Sequence, residues 1–243
     1  MNWLVISPHP DDAEYGASGL ICGLNELGEN VTILCFVPSF EFGEPESFSK
    51  SKQRVIESEE SAKLLNCNLV WMEGNLSSSK AELVSTMTSI FKELQVDIVI
   101  TVYPNDRHPF HEYVTNIVEQ AVHLSTLESV KQHENFPSLK IPPLILYMEA
   151  FTTIEASNDF LINVTPWFIK ARKSLLLHKT GLEVCPALEH QMKISHMSNG
   201  LKAGVLYAEG FKFAKGYGQE WVSSRNKLYD IIVKINNMGG EVL

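Results

Sequence analysis

The chain has 243 residues, a formal charge of −9 and 44% apolar residues, enough to fill a substantial core and to exclude a disordered chain. The acidic balance, with no block of Lys or Arg, argues against nucleic acid and anionic membranes as partners, because both need clustered positive charge. No apolar stretch approaches the roughly 18 residues of a membrane span, the N-terminus lacks the basic region and cleavage site of a signal peptide, and Cys22, Cys35, Cys67 and Cys185 form no C-x-x-C pair. The expectation is one domain over residues 1–243, cytoplasmic, with reduced and mostly buried thiols.

Trp3 to Ser7 is an apolar run ending at Pro8 and predicts a buried strand. Helical spacing then runs from Asp12 to Leu27 through Leu20, Ile21 and Leu24, with Gly28 as its C-cap. Val31 to Val37 predicts a second strand, followed by a polar loop holding Phe40, Phe42, Gly43 and Pro45. An amphipathic helix over Ser51 to Leu65 turns Val55, Ala62 and Leu65 inward, and Leu69 to Met72 is the third strand. A helix over Lys80 to Leu94 leads to the buried strand Asp97 to Pro104, and the loop Asn105 to His111 leads to a helix from Glu112 to Leu127. Leu144 to Ala150 follows the pair Pro142 and Pro143 as a fifth strand. Beyond it the pattern is less regular, with helices expected over Pro166 to Leu177, Glu189 to Ser195 and Trp221 to Val233. Strands alternating with helices indicate βαβ units around a mostly parallel sheet with a C-terminal elaboration.

Open α/β sheets place ligands at the carboxyl ends of their strands. Two such loops are rich in ligand-type side chains: Ser7-Pro8-His9-Pro10-Asp11-Asp12 and Asn105-Asp106-Arg107-His108-Pro109-Phe110-His111. A hydrolytic metal site needs about three protein ligands and an open position for water, and His9, Asp12 and His111 supply that set. Asp11 is then left unligated beside the metal, where a general base belongs. His108, three residues before His111, faces the same site. Taken alone, the first loop also reads as a turn whose Asp12 caps a helix, and the second as loop histidines. Their joint occurrence in a chain with eight histidines favours the metal. His123, His133, His190 and His196 are assigned to structure or solvent.

His9-Pro10-Asp11-Asp12, with Tyr103-Pro104-Asn105-Asp106-Arg107-His108-Pro109-x-His111 about a hundred residues on, resembles the PIG-L/LmbE-like family of metal-dependent N-acetylglucosaminyl deacetylases. Arg54-x-x-Glu57 with Ala62 and Leu65, His178-Lys179-Thr180-Gly181 beside the family's H-K-S-Q, and Tyr207-Ala208-Glu209-Gly210-Phe211 extend the likeness. The resemblance implies a Rossmann-like α/β fold with helices on both faces, and a zinc ion on His9, Asp12 and His111, with Fe(II) or another divalent ion also suited to those donors. It also implies Asp11 as base and His108 as oxyanion stabiliser or helper of the departing amine. Arg54 is implied near the substrate, its alternative being a surface ion pair with Glu57. His178 is a further candidate for substrate contact, its alternative being a histidine favoured at a helix C-terminus. Arg107 joins Arg54 as a cation able to attract an anionic substrate.

The implied reaction is hydrolysis of an N-acetyl group from a small-molecule amino sugar or sugar conjugate. The alternatives are a degenerate metal- or sugar-binding homologue without turnover, and an amidase on a non-sugar scaffold. No nucleic acid and no membrane insertion are expected, and a homo-oligomer is left open. The family's H-P-D-H has become His108-Pro109-Phe110-His111 here, which removes an acidic neighbour of His108 and leaves Asp106 to substitute if the loop allows it. The loop Pro38 to Pro45, with Phe40, Glu41, Phe42 and Glu44, also departs from the family and is expected to help form the substrate pocket.

Overall fold

A computed structural model describes residues 1–36, 48–129, 136–216 and 222–238. Val37, the Pro38 to Pro45 loop, His133 and Trp221 lie outside the described residues. In chain order the elements are β1 (Asn2–Ser7), α1 (Asp12–Glu26), β2 (Asn30–Phe36), α2 (Phe48–Leu65), β3 (Asn68–Met72), α3 (Lys80–Leu94), β4 (Ile98–Val102) and α4 (Pro109–Ser125). There follow β5 (Leu144–Met148), β6 (Phe160–Asn163), α5 (Phe168–Leu175), α6 (Lys179–Val184), α7 (Leu188–Ala203), β7 (Ala208–Phe213) and α8 (Val222–Met238).

Among the described residues these strands form one seven-stranded sheet in the order β3-β2-β1-β4-β5-β7-β6. The first five are parallel, as the alternation of strands and helices requires, and β7 pairs antiparallel with both β5 and β6. Period-two alternation within β1 sends Trp3 and Val5 to one face, against Ala17, Leu20 and Ile21 of α1. Leu4 and Ile6 go to the other face, against Phe91 of α3 and Ile117 and Val118 of α4. Helices therefore cover both faces of the parallel part. The order in which strands are added reverses between β1 and β4, which are direct neighbours in register Trp3 to Ile98 and Val5 to Ile100. Their C-terminal loops open side by side at that switch point.

Several boundaries differ from expectation. The helix expected from Glu112 begins at Pro109, because proline at a first helical position loses nothing by lacking an N–H, and His108 becomes its N-cap. His111 is thus held in a helical turn rather than a loop. The helix α1 ends on Leu27 as its C-cap, with Gly28 following at φ 74, the left-handed conformation that glycine takes without strain. The short β6, β7 and α6 escape the sequence pattern, since four to six residues with Gly181 or Gly210 inside carry no readable period. Cys22 and Cys35 are buried and Cys67 and Cys185 half-buried, all four as free thiols. Among the described residues no helix is long and apolar enough to cross a membrane.

Candidate active site

The loop after β1 is a tight turn built by its own polar groups. Ser7 Oγ donates to the His9 carbonyl at 2.7 Å and accepts the Ala13 N–H at 3.0 Å. The capping reading of Asp12 does not hold: Asp12 is the first helical residue, and its Oδ2 accepts the His9 N–H at 2.8 Å. Asp11 is the N-cap, with φ 111 and no side-chain capping bond. That left-handed backbone is strained for a residue with a Cβ and persists where the surroundings over-determine it.

Three donor atoms from the two loops converge. His9 Nδ1 lies 3.0 Å from His111 Nε2, and Asp12 Oδ2 lies 3.3 Å and 3.2 Å from those two nitrogens. Ligands held at the usual distances of about 2.1 Å around a tetrahedral ion are separated by about 3.4 Å, so the spacing fits a small divalent cation. His9, His108 and His111 also each offer a ring nitrogen within 4.8 Å of the others and form a group able to hold a metal. Behind His111, Asp106 Oδ2 approaches Nδ1 at 3.1 Å and Thr152 Oγ1 at 3.3 Å, which turns Nε2 toward the other donors. A carboxylate behind a ligating imidazole fixes its tautomer and raises its basicity. Asp106 therefore serves His111, and its Oδ1 accepts the backbone N–H of His108 at 2.8 Å. It does not replace the missing acidic neighbour of the His108 ring.

The charges follow from this crowding. Burial pushes the Asp12 carboxyl up, but His111 and then His9 outweigh that and hold it well below the usual range. Burial lowers His111, and the two carboxylates flanking it reverse this and raise it to about 10. Without a cation, the site thus holds a proton between two carboxylates, and a divalent ion would take its place.

Asp11 lines the same pocket as the converging donors. Burial first, and then the neighbouring Asp12, raise its carboxyl to about 6, against the opposing pull of His178, Arg54 and His9. Gly181 of α6 closes one side of it: a Cβ at that position would stand 2.5 Å from Asp11 Oδ2. His178, expected at the substrate, is instead buried below the site at 1% exposure. Its Nε2 lies 3.2 Å from Glu14 Oε1, an ion-pair distance at angles outside hydrogen-bond geometry, while Ser61 Oγ donates to the same oxygen at 2.6 Å. Burial lowers the His178 ring, and Glu14, Asp11 and Glu57 together carry it above its ordinary value.

His108 is half-buried, with its Nδ1 accepting the Phe110 N–H at 3.3 Å. That bond leaves Nε2 to carry the hydrogen of the neutral ring. Phe110 is buried, edge-on to His9 at 5.5 Å and to Phe36 at 5.2 Å, so apolar packing fills the space of the family's aspartate. Arg54 lines the same pocket, of about 230 Å³, as His9, Asp11 and His108. Glu57 is not its partner, because that carboxylate is bound to Thr180 N and Oγ1 and to Gln53. Arg107 is exposed and does not line the pocket; only its backbone N–H reaches across, to the Thr152 carbonyl at 3.1 Å. Sequence reasoning did not single out Thr152, Glu14 or Gly181 as site residues. The two loops pointed to Asp106, though for a different neighbour, and no local signal marked the others.

Residues 4–122 match the model of the family described as PIG-L, GlcNAc-PI de-N-acetylase. Among solved structures, the chain is similar to the N,N'-diacetylchitobiose deacetylase of Pyrococcus horikoshii, with 24% identity and a TM-score of 0.74 over 88% of this chain and 84% of that one. The conserved protein TT1542 of Thermus thermophilus gives 22% identity and 0.71 over 87% and 93%. GalB, the 4-carboxy-2-hydroxymuconate hydratase of Pseudomonas putida KT2440, gives 17% identity and 0.74 over 90% and 98%. These structures share the α/β fold, and the hydratase among them shows that this fold hosts more than one reaction.

Proposed function

We propose that this chain, which belongs to the PIG-L family, hydrolyses the N-acetyl amide of an amino sugar or sugar conjugate, releasing acetate and a free amine. The observation that carries the reading is Asp11, a buried carboxylate held in a strained left-handed conformation in the pocket where His9, Asp12 and His111 converge. A purely structural metal site has no use for such a group and closes its shell with four ligands. The family's description as a de-N-acetylase supports the reaction class, and so do the chitobiose deacetylase and a deacetylase of teicoplanin biosynthesis among the structural neighbours.

His9, Asp12 and His111 would hold the metal, which we take as zinc, with Fe(II) suited to the same donors. When bound, it would polarise the acyl carbonyl and make a water molecule more acidic. Asp11 takes the proton of the attacking water, with a carboxyl raised toward neutral pH and so matched to that task. His108, with Nε2 as its N–H, donates to the carbonyl oxygen as negative charge gathers there. The protonated Asp11 then returns its proton to the departing amine. The Arg54 guanidinium holds the hydroxyl or anionic groups of the substrate at the pocket wall.

The test is acetate release from a panel of N-acetyl sugars by the zinc-loaded protein. Asp11→Asn should keep its metal and lose roughly 10²- to 10⁴-fold in turnover. Near wild-type turnover in that variant would falsify the assignment of the base.

A further inference from the structure

Four residues at the edge of the site line the pocket from two successive helices. Gly181, Val184, Cys185 and Leu188 stand at i, i+3, i+4 and i+7 across α6 and the start of α7, and all four line the pocket. The Cys185 N–H continues the turn to the Gly181 carbonyl at 2.8 Å, and the Leu188 N–H bonds the Cys185 carbonyl at 3.1 Å. The stripe starts at the carboxylate of Asp11 and then becomes apolar. Phe151 joins it from the loop after β5, edge-on to Tyr15 at 6.5 Å. The polar floor of His9, Asp11 and His108 is therefore faced by a wall whose side chains carry no hydrogen-bonding group beyond a thiol. Val184 is 76% exposed and Phe151 38% exposed, an opening that leaves apolar surface in water next to a polar site. At about 230 Å³ the pocket is smaller than ligand sites usually are, so it holds the reacting unit while attached groups emerge over the wall.

We propose that the substrate carries a hydrophobic group within a few bonds of the scissile amide, packed on Phe151, Val184, Cys185 and Leu188. This rests on the hydrolase reading above and adds to it the class of substrate. Two attachments share this chemistry: an acyl chain longer than acetyl, or an apolar aglycone on the sugar.

The experiment measures kcat/KM of the zinc-loaded enzyme in two arms. One runs from N-acetyl- to N-hexanoylglucosamine, the other from the methyl to the octyl N-acetylglucosaminide. A gain of roughly 10-fold along one arm is expected, and the arm that shows it identifies the attachment. The double variant Phe151→Ser and Val184→Ser should cut that gain to under about 3-fold, and both positions are exposed enough for the fold to survive. Ile194→Ser, an exposed α7 position that does not line the pocket, should leave the gain intact. Two arms flat within about 2-fold in an enzyme that does turn over, or a gain that survives the double variant, would overturn the inference. An absence of turnover on every compound would instead overturn the hydrolase reading beneath it.

Discussion

Asp11 combines two unfavourable features, a left-handed backbone and a carboxylate whose charged form is penalised by burial. A carboxyl raised in the folded state from 3.8 to about 6 binds its proton more tightly there than in the unfolded chain. Stability is therefore lost as pH rises through that interval, and the cost is fully present above it. Metal-free Asp11→Asn, with no charge to bury and a residue that tolerates positive φ, should be more stable than the wild type by about 1–3 kcal/mol at pH 7.5. The difference should shrink toward zero near pH 4, and urea melts at the two values would check it. Gly181→Ala addresses the same carboxylate from outside. Its methyl cannot stand 2.5 Å from Asp11 Oδ2, so the base must shift. Turnover should fall at least about 10-fold with metal affinity unchanged; equal turnover would show that Gly181 does not position the base.

The helix α1 carries the first half of the site, and two other elements hold it in place. Glu209 of β7 accepts the N–H groups of Gly19 and Leu20 at 2.7 Å and 2.8 Å, with His196 Nε2 at 3.3 Å. Removing a buried carboxylate leaves those donors unsatisfied, so Glu209→Ala should cost about 3 kcal/mol or more in equilibrium unfolding. From the other side, the buried Glu14 and His178 link α1 to the start of α6, where Glu57 of α2 accepts the Thr180 N–H. The His178 ring is raised above 6.5 and the Glu14 carboxyl held below 4.5. The histidine's contribution is complete below its unfolded value and lost as pH climbs through its folded one. The glutamate's is complete above its unfolded value and lost on acidification. Stability from this pair thus peaks between the two, and His178→Gln should flatten the alkaline side of a plot of Tm against pH.

For the molecule as a whole, the converging donors set two imidazoles and a carboxylate around a position suited to a cation. A metal that binds only the folded chain adds stability by mass action. At 100-fold over Kd this amounts to about 2.7 kcal/mol, or a rise of roughly 5–10 °C in Tm for a chain of this size. Chelation should lower Tm by that amount and added zinc should restore it; an unchanged Tm would mean that no such site forms. Local sequence carried much of this architecture. Apolar runs of four to eight residues separated by helical periods read as buried parallel strands. The meeting of His9, Asp12 and His111 was foreshadowed as well, because the segments that carry them follow β1 and β4, which are neighbours in the sheet. What local pattern could not carry was which neighbours would stand behind those donors. Asp106 serves His111 rather than the His108 ring, because its Oδ2 faces His111 Nδ1 while its Oδ1 takes the His108 backbone N–H at the start of α4. His178 is drawn under α1 by Glu14, from 164 residues away in sequence. Arg54 stays open to the pocket and Arg107 does not, since Glu57 is taken by α6 while the loop after β4 leaves the Arg107 side chain in solvent. Periodicity and turn chemistry act over a few residues and are written in the chain, whereas the environment of a charged or apolar side chain comes from elements that only strand register and packing bring together.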